Sequence, residues 1–344
     1  MQADIYALGI GAGTRNSAGD WLEVFYPTPL LQPQAALDRL WSVLGYTTGN
    51  AALPLPAETM VEVAAALHDA GLAEAAATAR EMAQSQRPLI AAVLATDTAP
   101  QSVAEAYLKL HLLSHRLVKP HATNLNGIFA LLPNVAWTSE GAIDVDELPA
   151  MQLQARLENR VLEVNSIDKF PKMTNYVVPD GVRIAHTARV RLGAYLGAGT
   201  TIMHEGLVNF NAGTEGPGMI EGRVSAGVMI GAGSDLGGSS STMGTLSGGG
   251  NMVISVGEDC LLGANAGIGI PLGDRCTVEA GLYVTAGTKL QLLDDSGKLA
   301  GTVKARELAG KSDLLFRRNS SSGAVECLSN RSAIALNKEL HTHN

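Results

Sequence analysis

A glutamate and an arginine stand two residues apart in the run MIEGR, at Glu221 and Arg223. A carboxylate placed in a loop can take a proton as a general base. Two histidine pairs also have suggestive spacing. His111 and His115 are four apart in a helical segment, a spacing that metal sites use. No carboxylate lies between them as a zincin motif requires, and a packed or surface helix face is the plainer reading. His186 and His204 are eighteen apart. The three cysteines, Cys260, Cys276 and Cys327, are odd in number and lack metal-ligand spacing, which fits reduced thiols in the cytoplasm.

Most of these residues must be held by the stretch from about Val182 to Leu290. Aliphatics recur there every sixth position, at Ile184, Val190, Leu196, Ile202, Val208 and, one hexad skipped, Ile220. The period fits neither a helix nor a simple strand, and it matches a parallel β-helix of hexapeptides. Each aliphatic then points inward from one face of a triangular prism. Gly197, Gly231, Gly237, Gly263 and Gly269 follow these aliphatics and are expected to turn the corners, where positive φ is often needed. Three hexads make one coil, so residues eighteen apart stack about 4.8 Å from each other. That rule puts Arg223 over Glu205, as an ion pair between coils, and pairs His186 with His204. The phase slips by four at Ile230, Leu236 and Ile254, and by two at Leu262 and Ile268. Each slip predicts an extruded loop, and such loops gather on a functional face. The slips lie in EGRVSAGVMI, after GTLSGGGN at 244–251 (where Thr242 and Gly248 replace the aliphatics), and after GIPLGD near 269–274.

The rest of the chain is of mixed type. Short strands are expected before Pro27, then helices over 33–46, 57–71 and 72–86, with RPLIAAVLA leading to a loop. A helix over 104–121 ends at Pro120. LLPNVAWTSEGAIDVDELPA reads as irregular before a helix near Asp146–Glu158. Hairpins are expected over DDSG and over LLFRRNSSSGAVE, and a short amphipathic helix over SAIALNKELH. Three domains result: a mainly helical α/β part over 1–165 that caps the solenoid, the β-helix over 166–292, and a C-terminal extension over 293–344. Net charge is −8, which argues against nucleic acid as the main partner. No apolar run reaches eighteen residues, and the N-terminus has no basic region before its apolar stretch, so neither a membrane span nor a signal peptide is expected.

Segments throughout residues 100–325 resemble the tetrahydrodipicolinate N-succinyltransferase family, in its long form. They are LSHRLVKPH, LLPNVAWT, FPKMTNYVVP, HEGLVNFNAGTEGPGMIEGR, GTLSGGG, GANAGIGIPLGD, EAGLYVTAGTK, KARELAG and LLFRRNS. The C-terminal ALNKELH also fits, and the first 95 residues resemble the family loosely. The resemblance implies a left-handed β-helix, a homotrimer with active sites between neighbouring β-helices, and succinyl transfer from succinyl-CoA to the amino group of ring-opened tetrahydrodipicolinate. It makes Glu221 the catalytic residue, either as general base or as a nucleophile that forms an acyl anhydride.

The same resemblance assigns Arg223, Gly238, Ser241, Ala264, Glu279, Ala280 and Gly287 to the succinyl-CoA site. Small side chains there leave backbone groups open to the amide-rich pantetheine arm. Lys304, Arg317 and Arg318, with Asn319 and Ser320, would meet the phosphates of CoA. Glu205 matches a ligand of a magnesium ion on the trimer axis; the second metal position falls on Ala188, which cannot ligate. Three other readings compete. An acetyl-CoA-dependent enzyme of the same fold differs only at the acid end of the donor. A zinc hydratase like the γ-carbonic anhydrases needs three histidines, and the solenoid offers His186 and His204. A non-catalytic assembly module would have no need of Lys304 or of RRNS.

Overall fold

The computed structural model describes residues 5–244 and 252–329. The chain forms two compact units. The first holds Met1–Leu117, Ala122–Pro171 and Asn175–Val177; the second holds Val118–His121, Lys172–Thr174 and Val178–Asn344. The GTLSGGGN loop, apart from Gly244, and the SAIALNKELH helix lie outside the described residues.

The first unit is built on an antiparallel sheet in the order Trp21–Phe25, Ala7–Arg15, Leu89–Leu94, Ala51–Leu55. Helices Asp38–Leu44, Met60–Asp69 and Ala73–Met82 give Leu40, Met60, Val63, Leu67 and Ala76 to one core with Leu8, Ala91 and Val93. Helix Val103–Ser114 begins at Ser102, whose hydroxyl accepts the Glu105 N–H. Every residue of Leu89–Leu94 is buried, so RPLIAAVLA is a central strand rather than the approach to a loop. A strand covered on both faces reads as an unbroken apolar run and shows no alternation. LLPNVAWTSEGAIDV is likewise ordered: Val135–Thr138 and Gly141–Asp144 pair as a hairpin, with Val164–Asp168 on the other side.

The second unit is a three-faced parallel β-helix. One face stacks Arg183–Ile184, Thr200–Ile202, Gly218–Ile220, Asp235–Leu236, Leu261–Leu262 and Thr277–Val278, and ends on Leu314–Arg318. A second stacks Leu207–Val208, Arg223–Val224, Ser241–Thr242, Gly267–Gly269 and Tyr283–Thr285. The third stacks Ala194–Leu196, Ala212–Thr214, Met229–Ile230 and Ser255–Val256. Inward columns such as Ile202, Ile220, Leu236, Leu262, Val278 and Phe316 are buried throughout. Each such aliphatic stabilises the fold by about 1.5–3 kcal/mol. Thr242 occupies an inward position without cost, because its hydroxyl donates to the Arg223 carbonyl and accepts the Ser225 N–H.

Register shows what the phase slips are. Ile202 pairs with Ile220, eighteen residues on, but Ile220 pairs with Leu236, sixteen on. Leu262 pairs with Val278, again sixteen on. The first and third slips are therefore coils shortened by two residues, and no loop is extruded there. Only the second slip inserts chain: Leu236 pairs with Leu262, twenty-six on. In the first slip only Glu221, Gly222 and Arg223 lie between the inward residues Ile220 and Val224, whereas the preceding coil has five residues between Ile202 and Val208.

The corner glycines also act differently from the sequence expectation. Gly197, Gly231, Gly237, Gly263 and Gly269 do not have left-handed φ. Close approach excludes a side chain instead. A Cβ at Gly197 would lie 2.0 Å from the Glu215 carbonyl oxygen, and one at Gly263 would lie 2.5 Å from the Ala280 nitrogen. Both expected hairpins form, Lys289–Leu293 with Leu299–Lys304 and Leu314–Arg318 with Val325–Ser329.

Candidate active site

One edge of the β-helix collects much of the chemistry that the sequence singled out. The inward column Ile220, Leu236, Leu262, Val278 and Phe316 is in register. The residue after each of these must therefore also stack. Glu221 N–H donates to the Leu236 carbonyl, Gly237 to Leu262, Gly263 to Val278 and Glu279 to Phe316, at 2.8–2.9 Å. Glu221, Gly237, Gly263, Glu279 and Arg317 make one file along this edge. Gly238, Ala264, Ala280 and Arg318 make the next, while Gly222, at the shortened corner, stacks on Ser240 instead.

Glu221 is half-buried, and its carboxylate has no hydrogen-bond or ion-pair partner among the described residues. It leans along the edge: its Oε2 is 3.4 Å from where a Cβ of Gly238 would stand. The chain passes directly beneath it. Ser239 N–H donates to the Glu221 carbonyl at 3.3 Å, and Asn265 N–H to the Gly238 carbonyl at 2.8 Å. Among the described residues, the N–H groups of Gly222, Gly238, Ala264 and Ala280 have no backbone acceptor. The edge thus offers a carboxylate, unpaired amide donors and little side-chain cover. Ser240 Oγ is buried under Gly222, 2.1 Å from the position of a Cβ there, and also lacks a partner among the described residues.

Arg223 turns onto the second face. Its Nε and one Nη donate to Ser241 Oγ at 3.1 and 2.8 Å. It pairs in register with Leu207 and Ser241, not with Glu205, because the shortened corner moves the stack by two residues. The expected Arg223–Glu205 ion pair is therefore replaced by an Arg223–Ser241 contact. Two coils on, Tyr283 pairs with Gly267, and its ring occupies the space that a Gly267 Cβ would need, at 2.1 Å. Tyr283 remains 43 % exposed. The sequence reading passed over it, although its sixteen-residue distance from Gly267 repeats that of Val278 from Leu262.

The C-terminal hairpin closes on the same edge. Arg318 N–H donates to Glu279 Oε2 at 2.6 Å, and Arg318 Nη1 to the Gly323 carbonyl at 3.1 Å. Arg317 Nε donates to Glu326 at 2.9 Å. Asn319 Oδ1 accepts the N–H groups of Ser321 and Ser322, which shapes the turn carrying the exposed Ser320. Gly287 and Lys304 meet elsewhere: Ala305 N–H donates to the Thr288 carbonyl and Arg306 N–H to Ala286, so the two exposed turns adjoin. Glu205 is exposed before Gly206, on the same corner but two coils from Gly238.

The histidine spacings resolve separately. His111 is fully buried; its Nε2 accepts the Tyr26 N–H at 3.2 Å, and its Nδ1 faces the Tyr107 carbonyl at 2.7 Å. Burial pushes its pKa down to about 3, so the imidazole is neutral and structural. His186 and His204 align in register next to the Ile184–Ile202 pair, and both are exposed. Among the described residues no three His, Cys, Asp or Glu side chains gather as a metal site. Glu205 has no such cluster around it among the described residues, and Ala188 cannot ligate, so these residues do not form a magnesium cage.

Three family models match the chain. One described as tetrahydrodipicolinate N-succinyltransferase N-terminal matches residues 60–130, and one described as the middle of that enzyme matches 132–172. A third, the hexapeptide repeat of succinyl-transferase, matches 253–286. The 2,3,4,5-tetrahydropyridine-2,6-dicarboxylate N-succinyltransferase of Pseudomonas aeruginosa is 65 % identical over the full length of both chains. That of Vibrio cholerae is 59 % identical over 98 % of this chain and 99 % of its own. A crystal structure from Campylobacter jejuni, provisionally named a 2,3,4,5-tetrahydropyridine-2-carboxylate N-succinyltransferase, aligns with a TM-score of 0.87 at 33 % identity. It covers 96 % of this chain and 94 % of its own.

Proposed function

Because this chain belongs to the tetrahydrodipicolinate N-succinyltransferase family, we propose that the Glu221–Gly238–Ala264–Ala280 edge is its catalytic centre. The chain is an N-succinyltransferase of lysine and diaminopimelate synthesis. Succinyl-CoA is its co-substrate, and the acceptor is the amino group of tetrahydrodipicolinate in its ring-opened form, L-2-amino-6-oxopimelate. The observation that carries the site is the unpaired, half-buried Glu221 carboxylate beside a row of glycine and alanine corners.

The chemistry follows from those groups. The acceptor amine must lose a proton as its nitrogen attacks the thioester carbonyl and the CoA thiolate departs. As general base, Glu221 takes that proton. As nucleophile, its oxygen attacks the carbonyl first and expels the thiolate; the amine then attacks the anhydride and returns the carboxylate. Free amides on the edge suit both the developing oxyanion and the pantetheine arm. Arg223, held by Ser241, presents a guanidinium for the succinyl carboxylate. Arg317, Arg318, Asn319 and Ser320, with Lys304, take the phosphates; Glu279 anchors the Arg318 backbone. Gly287 adds an open turn beside Lys304.

The solenoid over 166–292 is read as left-handed, with 1–165 as a non-catalytic domain and 293–344 as an extension. A cytoplasmic homotrimer would complete the site between neighbouring β-helices, and light scattering would find a stable monomer if this is wrong. In that trimer Glu205 would contribute one carboxylate per protomer to an axial magnesium ion, which takes no part in the steps above. No described helix is long and apolar enough to cross a membrane. The test of donor choice is turnover of succinyl-CoA against acetyl-CoA on one dicarboxylic amino acid. Faster succinyl transfer supports the Arg223 reading; equal rates remove it.

A further inference from the structure

Glu326 is 4 % exposed on strand Val325–Ser329, directly across from Arg317 in the antiparallel pair. Its two oxygens are used by two different residues. Oε2 accepts Arg317 Nε at 2.9 Å, and Oε1 accepts Asn319 Nδ2 at 2.8 Å. Both donors belong to the RRNS segment. The Arg317 side chain is 43 % exposed while that of Glu326 is 5 % exposed, so the carboxylate grips the guanidinium from its buried side. Engagement through Nε leaves the two Nη groups for a ligand. Asn319 then holds the turn, because its Oδ1 accepts Ser321 and Ser322 N–H and its carbonyl accepts Gly323 N–H. The Asn319 amide, and with it Arg317, keeps the Glu326 carboxyl below its ordinary range against the opposing effect of burial.

From this geometry we infer that Glu326 is a positioning residue that orients Arg317 and the 319–323 turn toward the phosphates of the CoA ester. The inference rests on the succinyl-CoA reading above. Glutamine at 326 keeps the shape but replaces one acceptor oxygen with an NH₂. Asn319 cannot rotate to receive it without releasing Ser321 and Ser322, and Arg317 has only donors, so one of the two anchors must fail.

The experiment uses the full-length protein and two donors: succinyl-CoA, and the succinyl thioester of N-acetylcysteamine, which carries no phosphate. Glu326→Gln should raise KM for succinyl-CoA about tenfold, the scale of one charge-assisted hydrogen bond, with kcat little changed. KM for the phosphate-free thioester should stay at its wild-type value. Arg317→Ala should give the same split, and Glu326→Gln in that background should add little. Equal loss on both donors, or no loss on either, would overturn the positioning role. If Arg317→Ala itself leaves the succinyl-CoA KM unchanged, the phosphate reading falls; if only Glu326→Gln is silent, the inference alone falls. Should Glu326→Gln not fold, Asn319→Ala removes the second anchor and is read on the same two donors.

Discussion

Gly237→Ala and Gly238→Ala add one methyl at neighbouring residues of the same corner, and they should have opposite effects. At 237 the new Cβ would stand 2.8 Å from both the Ala264 nitrogen and the Leu262 carbonyl oxygen. Comfortable contacts of this kind are about 3.5–4.0 Å, so two stacked backbones must separate by several tenths of an ångström. Overpacking of this sort costs about 1–3 kcal/mol. Domains of about 150–250 residues lose roughly 2–4 °C of Tm per kcal/mol, which gives a fall of roughly 2–12 °C. At 238 the only neighbour within 4 Å among the described residues is Glu221 Oε2, at 3.4 Å, and φ is not left-handed. The stability change there should stay within about 0.5 kcal/mol. The methyl would nevertheless stand against the carboxylate, where the thioester must approach. A fall of about tenfold in kcat/KM corresponds to about 1.4 kcal/mol of transition-state stabilisation. Calorimetry and a thiol-release assay on the two variants separate the effects. A Gly238→Ala enzyme with unchanged kcat/KM would show that the thioester does not lie on this edge.

Other perturbations give distinct readouts. Replacing Arg317 and Arg318 together with Ala should raise KM for succinyl-CoA and leave kcat near wild type, since binding common to ground and transition states is lost; a kcat defect of equal size would contradict this. Gly267→Ala must displace the Tyr283 ring, seen as a change in tyrosine fluorescence or near-ultraviolet dichroism, and an unchanged spectrum would refute the stacking. His111 has a folded pKa far below its unfolded value of about 6.5, so its contribution is complete above pH 6.5 and is lost as pH falls toward 3. At pH 5 the unfolded state has gained the proton and the folded state has not, a loss of about 2 kcal/mol. Urea unfolding of wild type and His111→Gln at pH 7.5 and 5 should differ in pH dependence by about that amount, and parallel behaviour would show that His111 is not the buried neutral group described.

Much of this was legible because a solenoid writes its core into the sequence. The six-residue spacing of Ile184, Val190 and Leu196 implied three faces before any contact was known, and the slips located Glu221 at a corner. What the spacing could not say was whether a slip removes or inserts chain. That depends on which corner absorbs it, and the difference moved Arg223 from Glu205 to Ser241. The corner glycines were found for the wrong reason: coil-to-coil approach, a long-range property, excludes their side chains. Glu326 was missed because a buried carboxylate in a strand carries no local pattern, and its role depends on a partner in the opposite strand. Leu89–Leu94 failed for a related reason, since full burial erases the alternation that marks a strand.

The most direct test is Glu221→Gln, which keeps size and hydrogen bonding but removes both basicity and nucleophilicity. With both substrates saturating, kcat should fall by about 10²–10⁴-fold or more, while the affinity for succinyl-CoA, measured by calorimetric titration, should change little because its phosphates are held elsewhere. Near-full kcat in the Gln variant would remove Glu221 from the chemistry and direct attention to Glu205 and then Glu279.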